Sequence, residues 1–152
     1  MRAETYELKQ QEDVMRFEFT SVGPKGEIPK LVLYQETNIE NLYNLAFGDK
    51  NKETGEIDDI VVTNNSDSQK VLATVAYTVY LFTEKYPNTV IGATGSTKAR
   101  TRLYRMGVSN HLEEILADFD VFGTKNRELF LFEKNTEYDA IFIKRKYNKN
   151  ER

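Results

Sequence analysis

The chain has 152 residues, the size of one ordinary domain that buries roughly two-thirds of its unfolded surface. Its 21 basic and 24 acidic residues leave a net charge of -3, so no global field draws the whole molecule onto nucleic acid. With no cysteine and a single histidine, His111, it excludes disulfides, thiolate chemistry and any site that needs two imidazoles.

The start, MRAETYELKQ, is polar rather than a signal peptide, and no apolar run reaches the roughly 18 to 20 residues of a membrane span. The expectation is a cytoplasmic protein with no membrane partner. Glu4 to Lys9 alternates, with Tyr6 and Leu8 on one side, and predicts an edge strand. Val14 to Val22 alternates more fully: Met15, Phe17 and Phe19 point one way, against Arg16 and Glu18. The turn Gly23-Pro24-Lys25-Gly26 and the β-rich run Leu31 to Glu36 follow. In that run Leu31, Leu33 and Gln35 alternate against Val32 and Tyr34, which predicts a hairpin with Pro29 at the entry of its second strand.

Asn41 to Phe47 fits a helical period through Leu42, Leu45 and Ala46, and a strand period through Tyr43, Leu45 and Phe47; we read it as a strand. The polar loop from Gly48 to Asp59 and the β-branched Ile60 to Thr63 predict a second hairpin with a long tip. Asn64 to Ser68 then supplies oxygen-bearing N-caps for a helix reaching about Tyr86, ahead of Pro87. Val71 to Phe82 carries no charge on any face, which marks a central helix buried against the sheet, with the Thr74 and Thr78 hydroxyls returned to the preceding turn.

A strand at Thr89 to Thr94 leads through Gly95-Ser96-Thr97 into another helix. On its wheel Ala99, Leu103 and Met106 share the expected core face, Lys98, Arg102 and Arg105 a solvated face, and Arg100 with Tyr104 a third. Gly107 reads as the helix stop. A further helix begins near Asn110, with Glu113 completing a capping box and Leu112, Ile115, Leu116 and Phe119 forming its stripe. Asp120 to Gly123, Arg127 to Glu133 and Tyr138 to Lys146 read as strands, the last two joined as a hairpin through Lys134 to Glu137. From about Tyr147 the tail is polar. The sum is one α+β domain over residues 1–152: a mostly antiparallel, twisted sheet with a buried central helix and one or two further helices.

The densest local chemistry lies between Thr89 and Gly107. A strand, a glycine turn and a helix opening on Ser and Thr make a candidate anion cradle, because free N–H groups and the positive dipole end of a helix attract phosphate. The ligand set is Gly95, Ser96, Thr97, Arg100 and Tyr104, with Arg100 one turn in and able to offer its planar fork. The bland alternative is a tight turn at Gly95 with a Ser96 or Thr97 cap, a commoner use of such residues. Lys98, Arg102 and Arg105 offer a nucleic-acid backbone contact, ranked below a small anion because a charged stripe is usually a solvated face. The loop Asp49 to Glu56 has EF-hand composition, but Gly55 falls one position late and the closing Glu is missing, so no metal is expected.

Three stretches, FEFTSVGPKGEIPKLV, YNLAFGD followed by DDIVVTNNSD, and GSTKARTRLYRMGV, resemble an uncharacterised bacterial family of about this length, from about Tyr6 to Lys146. That resemblance implies no activity. The order of elements is also similar to the GNAT acyltransferase superfamily, whose Leu-Tyr helix often supplies a tyrosine acid to the departing coenzyme A thiolate; the matching position is Tyr104. Here Asn64 to Gln69 replaces the superfamily's glycine-containing pyrophosphate loop, the Tyr104 to Gly107 spacing is a residue short, and the paired helices after the first strand are missing. The leading reading is a non-enzymatic binding or interaction protein without a cofactor, its partner an unidentified small anion or protein. A divergent acyltransferase using coenzyme A and Tyr104 is the alternative, and a nucleic-acid-associated regulator the third.

Overall fold

Phe17, Phe19 and Ser21 alternate with half-buried or exposed neighbours and are themselves buried, the period-two signature of a strand with one face on a core. The computed structural model describes residues 4–58, 63–94 and 98–146, and for Arg100 the backbone without the side chain. In chain order the elements are β1 (Lys9–Gln10), β2 (Arg16–Gly23), β3 (Gly26–Glu36), β4 (Leu42–Asp49), α1 (Ser68–Lys85), β5 (Val90–Ala93), α2 (Lys98–Asn110), α3 (Leu112–Asp118), β6 (Phe119–Lys125), β7 (Glu128–Leu131) and β8 (Ala140–Arg145). The strands form one 8-stranded sheet in the order β1-β2-β3-β4-β5-β8-β6-β7, antiparallel except at the β4 and β5 pair. The class is α+β.

Both crossovers, β4 to α1 to β5 and β5 through α2 and α3 to β6, advance the same way across the sheet. Right-handed connections therefore lay α1, α2 and α3 on one face. There α1 runs across the sheet with Phe82 fully buried, its ring stacked on Tyr34 at 4.2 Å between centroids. Thr74 and Thr78 donate to Lys70 O (2.7 Å) and Val75 O (2.6 Å), as expected of hydroxyls in an apolar helix. The Asn41 to Phe47 ambiguity resolves as a strand, with Leu45 and Phe47 on the core face.

Several expectations need correction. The first strand is Lys9–Gln10 rather than Glu4 to Lys9, because the Tyr6 N–H donates to Thr74 Oγ1 (2.8 Å) and straps that segment to α1. The cap residue of α1 is Asp67, but its carboxylate makes no cap bond; it accepts from Tyr6 O–H (2.6 Å) and Ser21 Oγ–H (2.5 Å) instead. Gly107 does not stop a helix: α2 continues to Asn110, and a Cβ at Gly107 would stand 3.1 Å from Leu72 Cδ2. The glycine lets α2 approach α1, and that approach rotates the buried stripe to Tyr104 and Val108, leaving Met106 45% exposed and Ala99 outside. The α3 cap is His111, not Asn110, and it makes no side-chain cap bond.

The largest correction concerns the final hairpin. β7 pairs with β6, not with β8, and β6 lies between the two. The turn is Asn126-Arg127, both at positive φ (52° and 67°), the backbone of a two-residue type I′ turn, which matches strand twist without a glycine in the sequence to announce it. Of the second expected hairpin, residues 59–62 lie outside the described residues; the preceding loop is closed by one bridge, Lys50 to Ile57.

Candidate functional site

Gly95, Ser96 and Thr97 lie outside the described residues, as does the Arg100 side chain. What is described around them is the end of the parallel pair. Among the described residues β5 pairs β4 as far as Ala93 opposite Leu45, and β4 continues to Asp49. Tyr104, one face of α2 turned inward, meets that continuation: it is 7% exposed, accepts the Phe47 N–H (3.1 Å) and donates to Phe47 O (3.4 Å). Its ring lines an apolar cavity of about 60 Å³ between the helices and the sheet, together with Leu72, Val79, Gly107 and Ile141. The basic residues do not act as one face. Lys98 and Arg102 are exposed, whereas Arg105 is half-buried and donates to Thr136 O (3.3 Å).

Two polar clusters on the helix face went unread in the sequence. Lys30, 1% exposed, pairs with the Asp49 carboxylate across the β3 and β4 ladder and donates to Thr63 O (3.0 Å), while the Thr63 N–H donates to Asp49 Oδ2 (3.0 Å). A buried pair is tolerated when remaining donors and acceptors are met, and here the chain entering α1 meets them. At the start of α1, Asn65 accepts the Lys25 N–H (2.7 Å) and donates to Gly26 O (2.9 Å), latching the β2 and β3 turn. The fit leaves no room at Gly23, where a Cβ would meet Asn65 O at 2.0 Å. Both clusters are paired within the protein and read as framework. Among the described residues no group of three or more His, Asp or Glu side chains is placed to hold a metal.

Tyr6, Tyr34 and Tyr80, on this side of the sheet, are raised above the ordinary phenol value. Burial pushes the Tyr80 phenol up to about 12, helped by its hydrogen bond to Asp118 Oδ2 (3.0 Å). Burial likewise raises Tyr34. Burial, then the bond to Asp67, raises Tyr6.

Among the described residues the opposite face of the sheet carries no helix. At its β2 to β4 end the loop after β4 lies over it, held by Arg16 Nη2–H donating to Gly55 O (3.0 Å) and by Lys50 on Glu18 (2.6 Å). Lys50 holds the Glu18 carboxyl below its usual range. Toward the other end the register aligns Leu131, Phe122, Phe142 and Gly92 in one row, with the Phe142 ring over Gly92, where a Cβ would meet it at 3.0 Å. This row ends at β7, whose Leu129, Phe130 and Leu131 are 60%, 44% and 72% exposed. Among the described residues β7 is the last strand of the sheet. An apolar edge with unpaired backbone groups is what soluble proteins ordinarily blunt with charge or cover. The signal was in RELFLFE: an apolar run on both parities suits a strand buried on both faces, and this one sits at an edge.

The chain belongs to a family of unknown function (DUF6934), which matches residues 2–146. Neither curated proteins nor solved structures yield a match. No helix among the described residues is long and apolar enough to cross a membrane.

Proposed function

We propose that this protein is a non-enzymatic interaction protein whose partner surface is the β7 edge together with the adjoining apolar row on the helix-free face. The observation that carries the reading is the exposure of Leu129, Phe130 and Leu131 on a terminal strand, apolar on both faces at once. Such an edge takes an extended segment by backbone hydrogen bonding, with side-chain pockets adding selectivity. Lys125, Arg127, Glu128 and Glu133 bracket it with both signs of charge. The test is a titration with extended peptides of alternating apolar and charged residues, followed by amide shifts. The β7 amides should move while those of β2 stay still; β7 amides indifferent to every such peptide would contradict the reading. The cytoplasmic location expected from the cysteine-free sequence belongs to this proposal.

A second reading keeps the anion cradle at Gly95, Ser96, Thr97 and Arg100. What favours it is position: α2 opens at the carboxyl end of the parallel β4 and β5 pair, where ligands of open sheets tend to sit. Phosphate, a nucleotide or coenzyme A should shift the Ser96 and Thr97 amides, and silence toward all three would sink it. The acyltransferase alternative asks Tyr104 to release Phe47 and reach solvent before it acts as an acid, which its burial disfavours. The half-buried Arg105 leaves Lys98 and Arg102 as a short stripe for nucleic acid, which disfavours the regulator.

A further inference from the structure

Resting on the reading of β7 as an interaction surface, we propose that its occupant is a second copy of this chain, paired antiparallel along β7 so that two sheets join into one. In an antiparallel pair, successive residues turn their backbone groups alternately toward the partner strand and away from it. The Phe132 N–H donates to Val121 O (3.0 Å), so Phe132, Phe130 and Glu128 face β6, while Leu129 and Leu131 turn outward. Thr124, opposite Leu129, agrees: its carbonyl accepts the Asp139 N–H (2.8 Å) on the β8 side. Tyr138 takes up the far end of this edge, accepting the Glu133 N–H (2.9 Å) and donating to Leu131 O (3.4 Å). The Leu129 N–H and C=O and the Leu131 N–H remain for a partner strand, and Leu131 O keeps a second lone pair.

Symmetry and charge then select the occupant. Two antiparallel copies of one strand are related by a dyad normal to the sheet, which passes between a residue and its own copy; a register slipped by one residue from that would set opposed side chains on opposite faces. Centred on Phe130, the pairing sets Leu129 opposite Leu131 of the second copy, and the reverse, each pair exchanging both backbone hydrogen bonds. Phe130 meets its own copy in a close pair without backbone bonds. The same register sets Arg127 opposite Glu133 of the second copy on both sides of the dyad. Of the neighbouring symmetric registers, one centred on Leu131 sets Leu129 against Glu133, whose N–H Tyr138 already holds, and one centred on Leu129 sets Leu131 against Arg127 in the turn, so the Phe130 centre is the one that pairs the two outward residues with each other.

The chain has no cysteine, which makes the test clean. In the Phe130-centred register the opposed Cα atoms are about 4.5 Å apart, within the separation a disulfide spans. Phe130→Cys should therefore oxidise to a covalent dimer, whereas Glu128→Cys, opposite Phe132 of the second copy, should remain a thiol. Sedimentation should give the wild type a mass twice 17.6 kDa, and the pair Leu129→Lys with Leu131→Lys a monomer that still unfolds in one cooperative transition, at a midpoint that no longer depends on concentration. A wild-type monomer at every concentration, with Phe130→Cys oxidising no faster than Glu128→Cys, would overturn the second copy as occupant. If the Leu129 and Leu131 amides of that monomer still respond to a different extended peptide, only the occupant is overturned; if they respond to none, the interaction surface itself is overturned too.

Discussion

The Tyr104 hydroxyl accepts the Phe47 backbone N–H at 3.1 Å, two residues beyond the last β4 residue that β5 pairs among the described residues. An unsatisfied buried donor costs about 1 to 3 kcal/mol. α2 supplies the partner through one phenol. Tyr104→Phe keeps the ring and removes the acceptor, so it should lower unfolding free energy by that amount in a denaturant titration with an unchanged slope. No loss of stability would contradict the structural role.

Gly107 and Leu72 define a second measurable contact. A methyl at Gly107 would stand 3.1 Å from Leu72 Cδ2, but Leu72 borders the cavity of about 60 Å³ and has space to turn into. The helix interior gains about 1 kcal/mol from replacing Gly by Ala. Gly107→Ala should therefore be neutral to stabilising, whereas Gly107→Leu should overfill the α1 and α2 contact and cost about 1 to 3 kcal/mol. Thermal unfolding of the two variants separates these outcomes.

The Lys30 and Asp49 pair gives a larger effect. Removing the ammonium in Lys30→Met leaves a buried carboxylate without its counter-charge, for a loss of about 3 to 5 kcal/mol. Asp49 also receives the Thr63 N–H, so the variant should loosen the chain entering α1 as well. Hydrogen exchange at Thr63 should rise by more than at Phe19. Equal change at both sites would argue against a local latch.

Alkaline pH tests the tyrosine layer. Tyr80 is raised to about 12 by burial and its bond to Asp118, against an unfolded-state value near 10, so the neutral phenol favours the folded form. That contribution is fully present below about pH 10 and is lost as pH rises through about 12. Stability should fall across that window, and Tyr80→Phe should flatten the decline. An identical slope in the variant would contradict the assignment.

How much of this was legible in the sequence varies with the range of the interaction. Phe17 and Phe19, Leu45 and Phe47, and the uncharged middle of α1 were readable because local periodicity reports which side is buried. Asn126-Arg127 was not, since positive φ at both residues is normally announced by glycine and here is imposed by tertiary pairing. Nor could adjacency in sequence reveal that β6 separates β7 from β8. The α2 wheel held at Leu103, which packs against the core, and failed at Ala99 and Met106: an apolar count favours Met106, but the glycine at 107 decides which side comes close to α1. Of the candidate site, Tyr104 is placed inside the core against the Phe47 backbone, and the exposed β7 edge was present in the sequence only as an apolar strand.

Backbone hydrogen exchange at Leu129 and Leu131, followed in wild-type protein from low to high concentration, reaches the central claim most directly. Pairing along β7 predicts that exchange at these two amides slows as concentration rises, while the Phe130 amide, already turned toward β6, is unaffected. Exchange at Leu129 and Leu131 that is fast and independent of concentration would contradict it.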